Sequence, residues 1–523
     1  MHNRLVIIIL MLILGTGFIS CSKKKTQKQN TLRINIGANP NSLDPRKARD
    51  LVSINLTKLL FEGLVRLNEN NLVEKALAED IVMSFDKKKY TFVLKKTFWS
   101  NGDVLTSDDF IYSWKKVLSS DFPSPYASLL YVIKGGEDAK KSIGDLQDIK
   151  LKKIDDFCFE VELISPIPYF LHLLSHPVFF PVHKNVDKTT ASWSRSAATY
   201  VCNGPFRLSF WKLSDEIVLK KNNKYWDCEA VKLNSIQMKM VSPEVELSLY
   251  EKNELDWAGS PFSILPTDSL LSLKKRKDYH VKPYLGTAFF RINTKKWDEI
   301  LKDKSSHLRK ALALSINRKD LIEHVLKGDQ FVATSLTPKV FNLHKTVLFE
   351  DGDIDLSKKL INQSDNIPEL CITYVSNERN YLVAQAVQRM WSDSLNIKVR
   401  LEPLEAQVFY DRLTKGNYMI ALGSFIADFC DPINFLEVFK LKYNGMNNTF
   451  WENGSYVSLL ENSNFSDDRE CLFKEAENIL LDEMPIIPIY HLTMNYLKAE
   501  KIKGTILPST GHIDFKLTYF EEN

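Results

Sequence analysis

Strand-like and helix-like patterns alternate along nearly all 523 residues of this chain, and that constrains it most. There is no internal repeat. A single hydrophobic core stops growing near about 250–300 residues, so two or three lobes are expected. Residues 32–36 read as a first strand, 56–62 as a helix closing at Gly63, and 90–94 as a strand leading to a turn at Asn101-Gly102. Thr106 and Asp109 have capping-box spacing at the start of a helix. Further strands read at 157–163, 217–219, 236–238, 397–401 and 486–490, a turn at Asn203-Gly204-Pro205, and helices at 306–314 and 382–391. Asn317 caps a helix ending at Gly328, and Asp431-Pro432 opens one running to Phe439. The pattern is that of a mixed α/β protein with several lobes.

The N-terminus sets the compartment. Arg4 supplies a positive charge, Leu5 to Ile19 is an apolar run, and Ser20-Cys21 is followed by Ser22-Lys23-Lys24-Lys25. The run is short for a membrane span and reads as a signal peptide over 1–20. The Cys after a small residue resembles a bacterial lipobox, with Phe18 and Ile19-Ser20 departing from its commoner residues. That resemblance implies acylation at Cys21 and a lipid-anchored polar tether over 21–30. An ordinary signal peptide with an incidental Cys is one alternative, and an uncleaved anchor, disfavoured by the short run, is another. After residue 21 no apolar run is long enough to span a bilayer.

Composition narrows the chemistry. Sixty-nine Lys and Arg against sixty-five Asp and Glu give a net charge of +4, so nothing calls for a nucleic-acid partner. Beyond Cys21 the cysteines Cys158, Cys202, Cys228, Cys371, Cys430 and Cys471 are scattered, with no C-x-x-C pair. An envelope location permits disulfides, but pairs cannot be assigned, and buried thiols are the alternative. His172 and His176 are four apart, which could suit a metal on a helix, yet Pro177 follows and no acid or Cys is nearby in sequence. No G-x-S-x-G, H-E-x-x-H or phosphate loop occurs, so no enzyme, cofactor or metal is expected.

Several segments, in order, resemble solute-binding protein family 5, the peptide-binding proteins of ABC importers. They begin with Ser42-Leu43-Asp44-Pro45 and Leu60-Phe61-Glu62-Gly63-Leu64. Tyr90-Thr91-Phe92-Val93-Leu94-Lys95-Lys96, Trp99-Ser100-Asn101-Gly102, Leu105-Thr106 and Asp109-Phe110 carry the strongest likeness. Ser165-Pro166-Ile167-Pro168-Tyr169-Phe170, Asn203-Gly204-Pro205-Phe206, Lys224-Tyr225-Trp226-Asp227 and Leu308-Arg309-Lys310-Ala311-Leu312 follow. Ala427-Asp428, Asp431-Pro432 and Met484-Pro485-Ile486-Ile487-Pro488-Ile489-Tyr490 complete the series.

The resemblance implies a two-lobed periplasmic-binding-protein (Venus flytrap) α/β fold with an extra inserted subdomain. Lobe I would comprise 31–60, 195–285 and 496–523, the subdomain 61–194, and lobe II 286–495. Crossings near 283–290 and 490–497 would form the hinge. The implied role is capture of peptides for ABC importer permease subunits. The protein would be a monomer on the periplasmic side of the cell envelope, held by its lipid anchor.

The same resemblance implies a ligand site. Family peptides lie extended and pair with strand-like backbone, which gives affinity without reading side chains. The peptide's ammonium needs an acid, and Asp428 matches that role; a solvated loop acid is the alternative. Asp431 is better explained as a helix cap. Tyr126 matches a cleft tyrosine, or is a buried aromatic. Asp50, Leu51, Gly259, Ser260, Ser424, Phe425 and Ala427 would offer backbone groups or pocket walls, and Phe289 a wall. Lys327 matches a lysine for short peptides' carboxylates, or is a helix-end cation.

The departures concern the ligand's other end. Relatives carry an Arg where Leu422 stands, a His at Asn380 and a Trp at Ala406. Arg291 and Arg49 replace acids; they would suit a more acidic ligand, or be surface charges. A receptor for another amine-bearing solute, such as a cell-wall peptide or glutathione, stays open within the fold. An envelope chaperone or enzyme is the alternative from another class.

Overall fold

The computed structural model describes residues 30–361 and 367–521, so the expected signal peptide and Cys21 lie outside the described residues. In chain order, β1 (Thr31–Asn35), β2 (Val65–Leu67), β3 (Val73–Lys75), β4 (Ala78–Met83), β5 (Lys89–Leu94), β6 (Leu151–Asp155) and β7 (Cys158–Glu162) come first. Then follow β8 (Phe206–Lys212), β9 (Glu216–Lys221), β10 (Ser235–Lys239), β11 (Trp257–Gly259), β12 (Tyr279–Ile292) and β13 (Phe331–Val332). The last are β14 (Leu370–Val375), β15 (Val399–Leu404), β16 (Ile420–Ile426), β17 (Ile486–Lys498), β18 (Ile502–Lys503) and β19 (Tyr519–Phe520).

One sheet runs through the molecule in the order β15-β14-β16-β12-β17-β11-β1-β10-β9-β8, with β13 added to β17. Its middle is two long antiparallel strands, β12 of 14 residues and β17 of 13. One stretch of β12, 279–283, pairs with 493–497; the other, 287–291, pairs with 486–491. Two cores lie against the sheet, and the second stretch faces both, with Phe289 and Ile486 in one and Phe290 and Ile487 in the other. Leu32, Ile34, Leu56, Phe92, Trp99, Phe159 and Ile236 belong to one apolar cluster, and Phe290, Trp297, Leu312, Ile372, Trp391 and Ile487 to another. Residues 61–194 carry their own sheet, β4-β5-β7-β6, yet Phe92 and Phe159 share a core with β1 and β10.

Local chemistry places the elements. In β1, Leu32 and Ile34 are buried on one face while Thr31 and Arg33 alternate with them. Asp109 Oδ2 accepts the Thr106 N–H at 3.0 Å, closing the expected capping box. Gly204 is required by close packing, since a Cβ there would lie 2.6 Å from the Leu60 carbonyl carbon. Other elements depart from expectation. The first helix is Leu51–Leu60, because Asp50 Oδ1 accepts the Ser53 N–H at 2.9 Å and starts it early. The 382–391 helix extends to Glu378–Leu395, capped by Asn377. The turn capped by Asn317 ends with Lys327 itself in the left-handed region (φ 55°), not with Gly328. The helix after Asp431-Pro432 is short, Ile433–Leu436, and tightens into a 3₁₀ turn at Glu437–Phe439.

Candidate functional site

Two irregularities in the β12–β17 pairing shape the site. The register shifts between Pro283 and Thr287, and again between Ala288 and Phe289. In the first gap the backbone turns to other partners: Leu285 N–H donates to Ser509 O at 2.7 Å, and Leu285 O accepts from Ala427 N–H at 2.8 Å. Tyr284 is thereby freed from the ladder. On the other side of β12, β16 pairs from Ile420 to Ile426, but β14 meets β16 only at Ile420 and Ala421. Among the described residues, 422–426 are paired on one side only, and every second residue of an antiparallel strand turns its N–H and C=O outward. A cleft of about 880 Å³ opens along that free edge.

The cleft wall includes Leu51 at the start of the first helix, Ser260 and Leu265 after β11, and Tyr284 and Arg291 of β12. Leu422 to Ile426 of β16, the first turn of helix Glu378–Leu395, and Tyr490, Leu492, Thr493 and Asn495 of β17 also line it, with Phe409, Tyr410 and Met446 farther along. Leu51, Ser260, Ser424 and Phe425 therefore stand on the wall as expected. The wall also takes in Leu422 and Asn380, whose side chain donates to Val375 O at 3.0 Å.

Other expected wall residues sit behind it. Asp50 spends its carboxylate on the helix cap, taking the Ser53 hydroxyl at 2.6 Å and the Ser53 N–H. Gly259 (φ 88°) is buried, its N–H donating to Glu246 at 3.0 Å. Ala427 is buried one residue past the strand. Phe289 is core rather than wall: it is fully buried and packs edge-on against Phe439. Its side-chain face is taken by the apolar cluster, which the residue type alone favours. Lys327 is the left-handed helix cap, and its neighbour Gly328 is tied to the cleft through its carbonyl, which accepts from Thr493 and Asn495. Lys327 itself is not on the cleft wall. Arg49 lines a separate open cleft beside Lys47, away from the central one.

Asp428 and Tyr126, 302 positions apart, are brought together beyond Tyr284. The Tyr126 hydroxyl meets the Asp428 carboxyl, and burial, then Asp428, raise the tyrosine. Burial pushes Asp428 up to about 6, only partly offset by the hydrogen bond from Tyr126. Tyr284 is also raised, by burial and by the Asp428 charge. No cation contributes to the Asp428 shift. The Asp428 N–H donates to Asn434 at 2.8 Å, which fixes the loop. Asp431 turns away: it accepts the Ile433 N–H at 3.0 Å and pairs with Arg469 at 2.8 Å, a structural role. Tyr284 was missed as a site residue, although it lies in a stretch read as a hinge crossing. Its signal was the Pro283 beside it, which withholds a ladder donor.

The histidines have other partners. His176 packs on Tyr126 (ring centroids 4.5 Å) and burial drives it down to about 3, so it is neutral. His183 meets Asp103 at 2.8 Å. The six cysteines among the described residues are free thiols.

A sheet shared by two cores, with a cleft along the free edge between them, defines the two-lobed α/β fold of proteins that close over a solute. The chain belongs to the family described as "Bacterial extracellular solute-binding proteins, family 5 Middle", whose profile matches residues 73–447. It is 37% identical to the oligopeptide-binding protein OppA of Bacillus subtilis (strain 168) across 100% of both chains. It is 32% identical to the dipeptide-binding protein DppE of the same organism, over 95% of this chain and 93% of that one. The structure of Haemophilus influenzae OppA in complex with RPPGFSPFR superposes with a TM-score of 0.81 at 26% identity, covering 95% of this chain and 99% of that one. The protein is accordingly an extracytoplasmic solute-binding component of transport and not an enzyme.

Proposed function

We propose that this protein captures peptides with a free amino terminus in the central cleft and delivers them to the permease subunits of an ABC importer. The observation that carries the reading is a half-buried acid, Asp428, on which no cation acts among the described residues, set beyond a cleft bordered by an unpaired sheet edge. The edge supplies main-chain hydrogen bonds to an extended ligand regardless of its side chains. The acid supplies the charge that a peptide ammonium needs once it leaves water. Relatives named for oligopeptide and dipeptide binding match along almost their whole length.

In this reading 31–60, 195–285 and 496–523 form lobe I, 61–194 the inserted subdomain and 286–495 lobe II. The hinge is the middle of β12 and β17, where their register breaks. Strand pairing that is already interrupted bends with little loss of hydrogen bonding. The test is native mass spectrometry of the tether-deleted protein with mixed peptides whose N-termini are free or acetylated. Selective retention of the free-amine forms is expected; equal retention of both, or of neither, overturns the reading.

Cys21 is proposed as the site of the lipid anchor, on the strength of the apolar run and small residue before it. In a bacterial host, Cys21→Ala is expected to move the protein from the membrane fraction to the soluble or secreted fraction. Unchanged membrane association would rule the anchor out.

A further inference from the structure

Arg291 is a buried cation with no counter-charge among the described residues. It lies on β12 at the cleft, 8% exposed, and its Nε has no hydrogen-bond partner. Among the described residues its guanidinium makes no ion pair. It rests instead 4.6 Å over the Phe289 ring, beneath which the core is closed. Gly423 on the adjacent strand leaves it room, since a Cβ there would lie 2.6 Å from Arg291 Nη1. The charged or titratable groups acting on it are the phenols of Tyr418 and Tyr410, and no carboxylate.

The cleft itself has the same imbalance. Among the described residues Arg291 and Arg379 line it, and no Asp or Glu does. Arg379 belongs to the first turn of an 18-residue helix whose opening residues Asn377 and Asn380 also face the cleft. A helix start carries partial positive charge, which here is offset by Glu378 of the same turn. A guanidinium cannot shed its proton, and a buried one without a counter-charge is unfavourable unless an anion arrives. A carboxylate fits its planar fork with two parallel hydrogen bonds.

We propose that Arg291, seconded by Arg379, forms a carboxylate-binding subsite in the cleft, so that the ligand must bring an anionic group as well as an amine. The carboxylate is the peptide's own C-terminus or an acidic side chain. This inference rests on the peptide-capture reading and adds to it the chemistry of the ligand's second end.

The test is titration calorimetry with four tetrapeptides that all keep a free amine. They are Ala-Ala-Ala-Ala as free acid and as C-terminal amide, and the amides of Ala-Ala-Glu-Ala and Ala-Ala-Gln-Ala. The protein is expected to prefer one carboxylate form over its neutral partner by about ten- to a hundredfold. A preference between free acid and amide identifies the C-terminus; one between Glu and Gln identifies the side chain. Arg291→Gln is expected to erase the preference, and Arg291→Lys to retain part of it. Arg291→Gln is also expected to unfold at the same midpoint as wild type or a higher one, because an unpaired buried charge has been removed. No preference in wild type, or one that survives Arg291→Gln, overturns the inference. If no peptide binds wild type, the peptide reading fails, and glutarate decides the subsite on its own. A rise in melting midpoint with glutarate over matched chloride, absent in Arg291→Gln, keeps the subsite; no rise overturns it.

Discussion

Asp428→Asn is expected to weaken capture of a free-amine peptide by about ten- to a hundredfold, the range of one hydrogen bond to a charged group. The N-acetylated form of the same peptide should lose far less. The physical reason is the partial burial of the site. Burial has already raised Asp428 to about 6, so its charged form is held without a cation and gains strongly when an ammonium arrives. The side chain that acts on it is Tyr126, and Asp428 in turn raises Tyr126 and Tyr284, both neutral near pH 7.

A pH dependence follows with a definite sign. Above about pH 6 the carboxylate is ionised and ready for the ammonium. As pH falls through 6 a proton must be displaced before the amine can bind, so affinity declines toward tenfold per pH unit. Stability without ligand runs the other way. The folded-state value lies above the unfolded one, so the folded protein binds the extra proton and this group favours folding more as pH falls from about 6 toward 4. Unliganded Asp428→Asn protein should therefore unfold at pH 7 no more easily than wild type. Calorimetric titration from pH 5 to 8 checks the first part, and thermal unfolding of unliganded protein over the same range checks the second. A pH-independent affinity in wild type, or an equal loss for acetylated peptide in the variant, would sink the assignment of Asp428 to the amine.

The largest effect on stability is expected at Asp351. Its carboxylate pairs with Arg318 at 3.0 Å and also accepts the Arg318 and Lys319 N–H groups. Arg318 is fully buried, and its guanidinium donates to the carbonyls of Ala313 at 2.9 Å and Ile316 at 3.1 Å and, across the core, to Pro488 of β17 at 2.9 Å. The pair fastens the helix Ser305–Leu314 and the turn after it to the long strand that crosses between the cores. Asp351→Ala leaves a buried guanidinium with no counter-charge, at a loss of about 3–5 kcal/mol. The expected readout is a lower urea midpoint. Replacing both partners, as Asp351→Ala with Arg318→Met, should recover much of the loss, because an apolar side chain of similar volume needs no counter-charge there. A single variant as stable as wild type would show that the pair contributes little.

Sequence alone determined those features of this protein that depend on neighbours in the chain. The alternation in 32–36 sets which face of β1 is buried, the Thr106–Asp109 spacing sets a helix start, and the ordered motifs with Asp428 set the family and the candidate amine site. Each is a local pattern whose physics is complete within a few residues. Tertiary structure decided what depends on distant partners. It brought Tyr126 to Asp428, took Asp50 for a helix cap and buried Phe289 beneath Arg291. It also ended the β14 ladder at Ala421, which leaves the neighbouring strand edge free. Whether a charged side chain is a surface group or a binding group depends on burial and on what else lines its cavity. For Arg291 those conditions come from β16, the Glu378–Leu395 helix and the missing acids of the cleft, all far away in the chain.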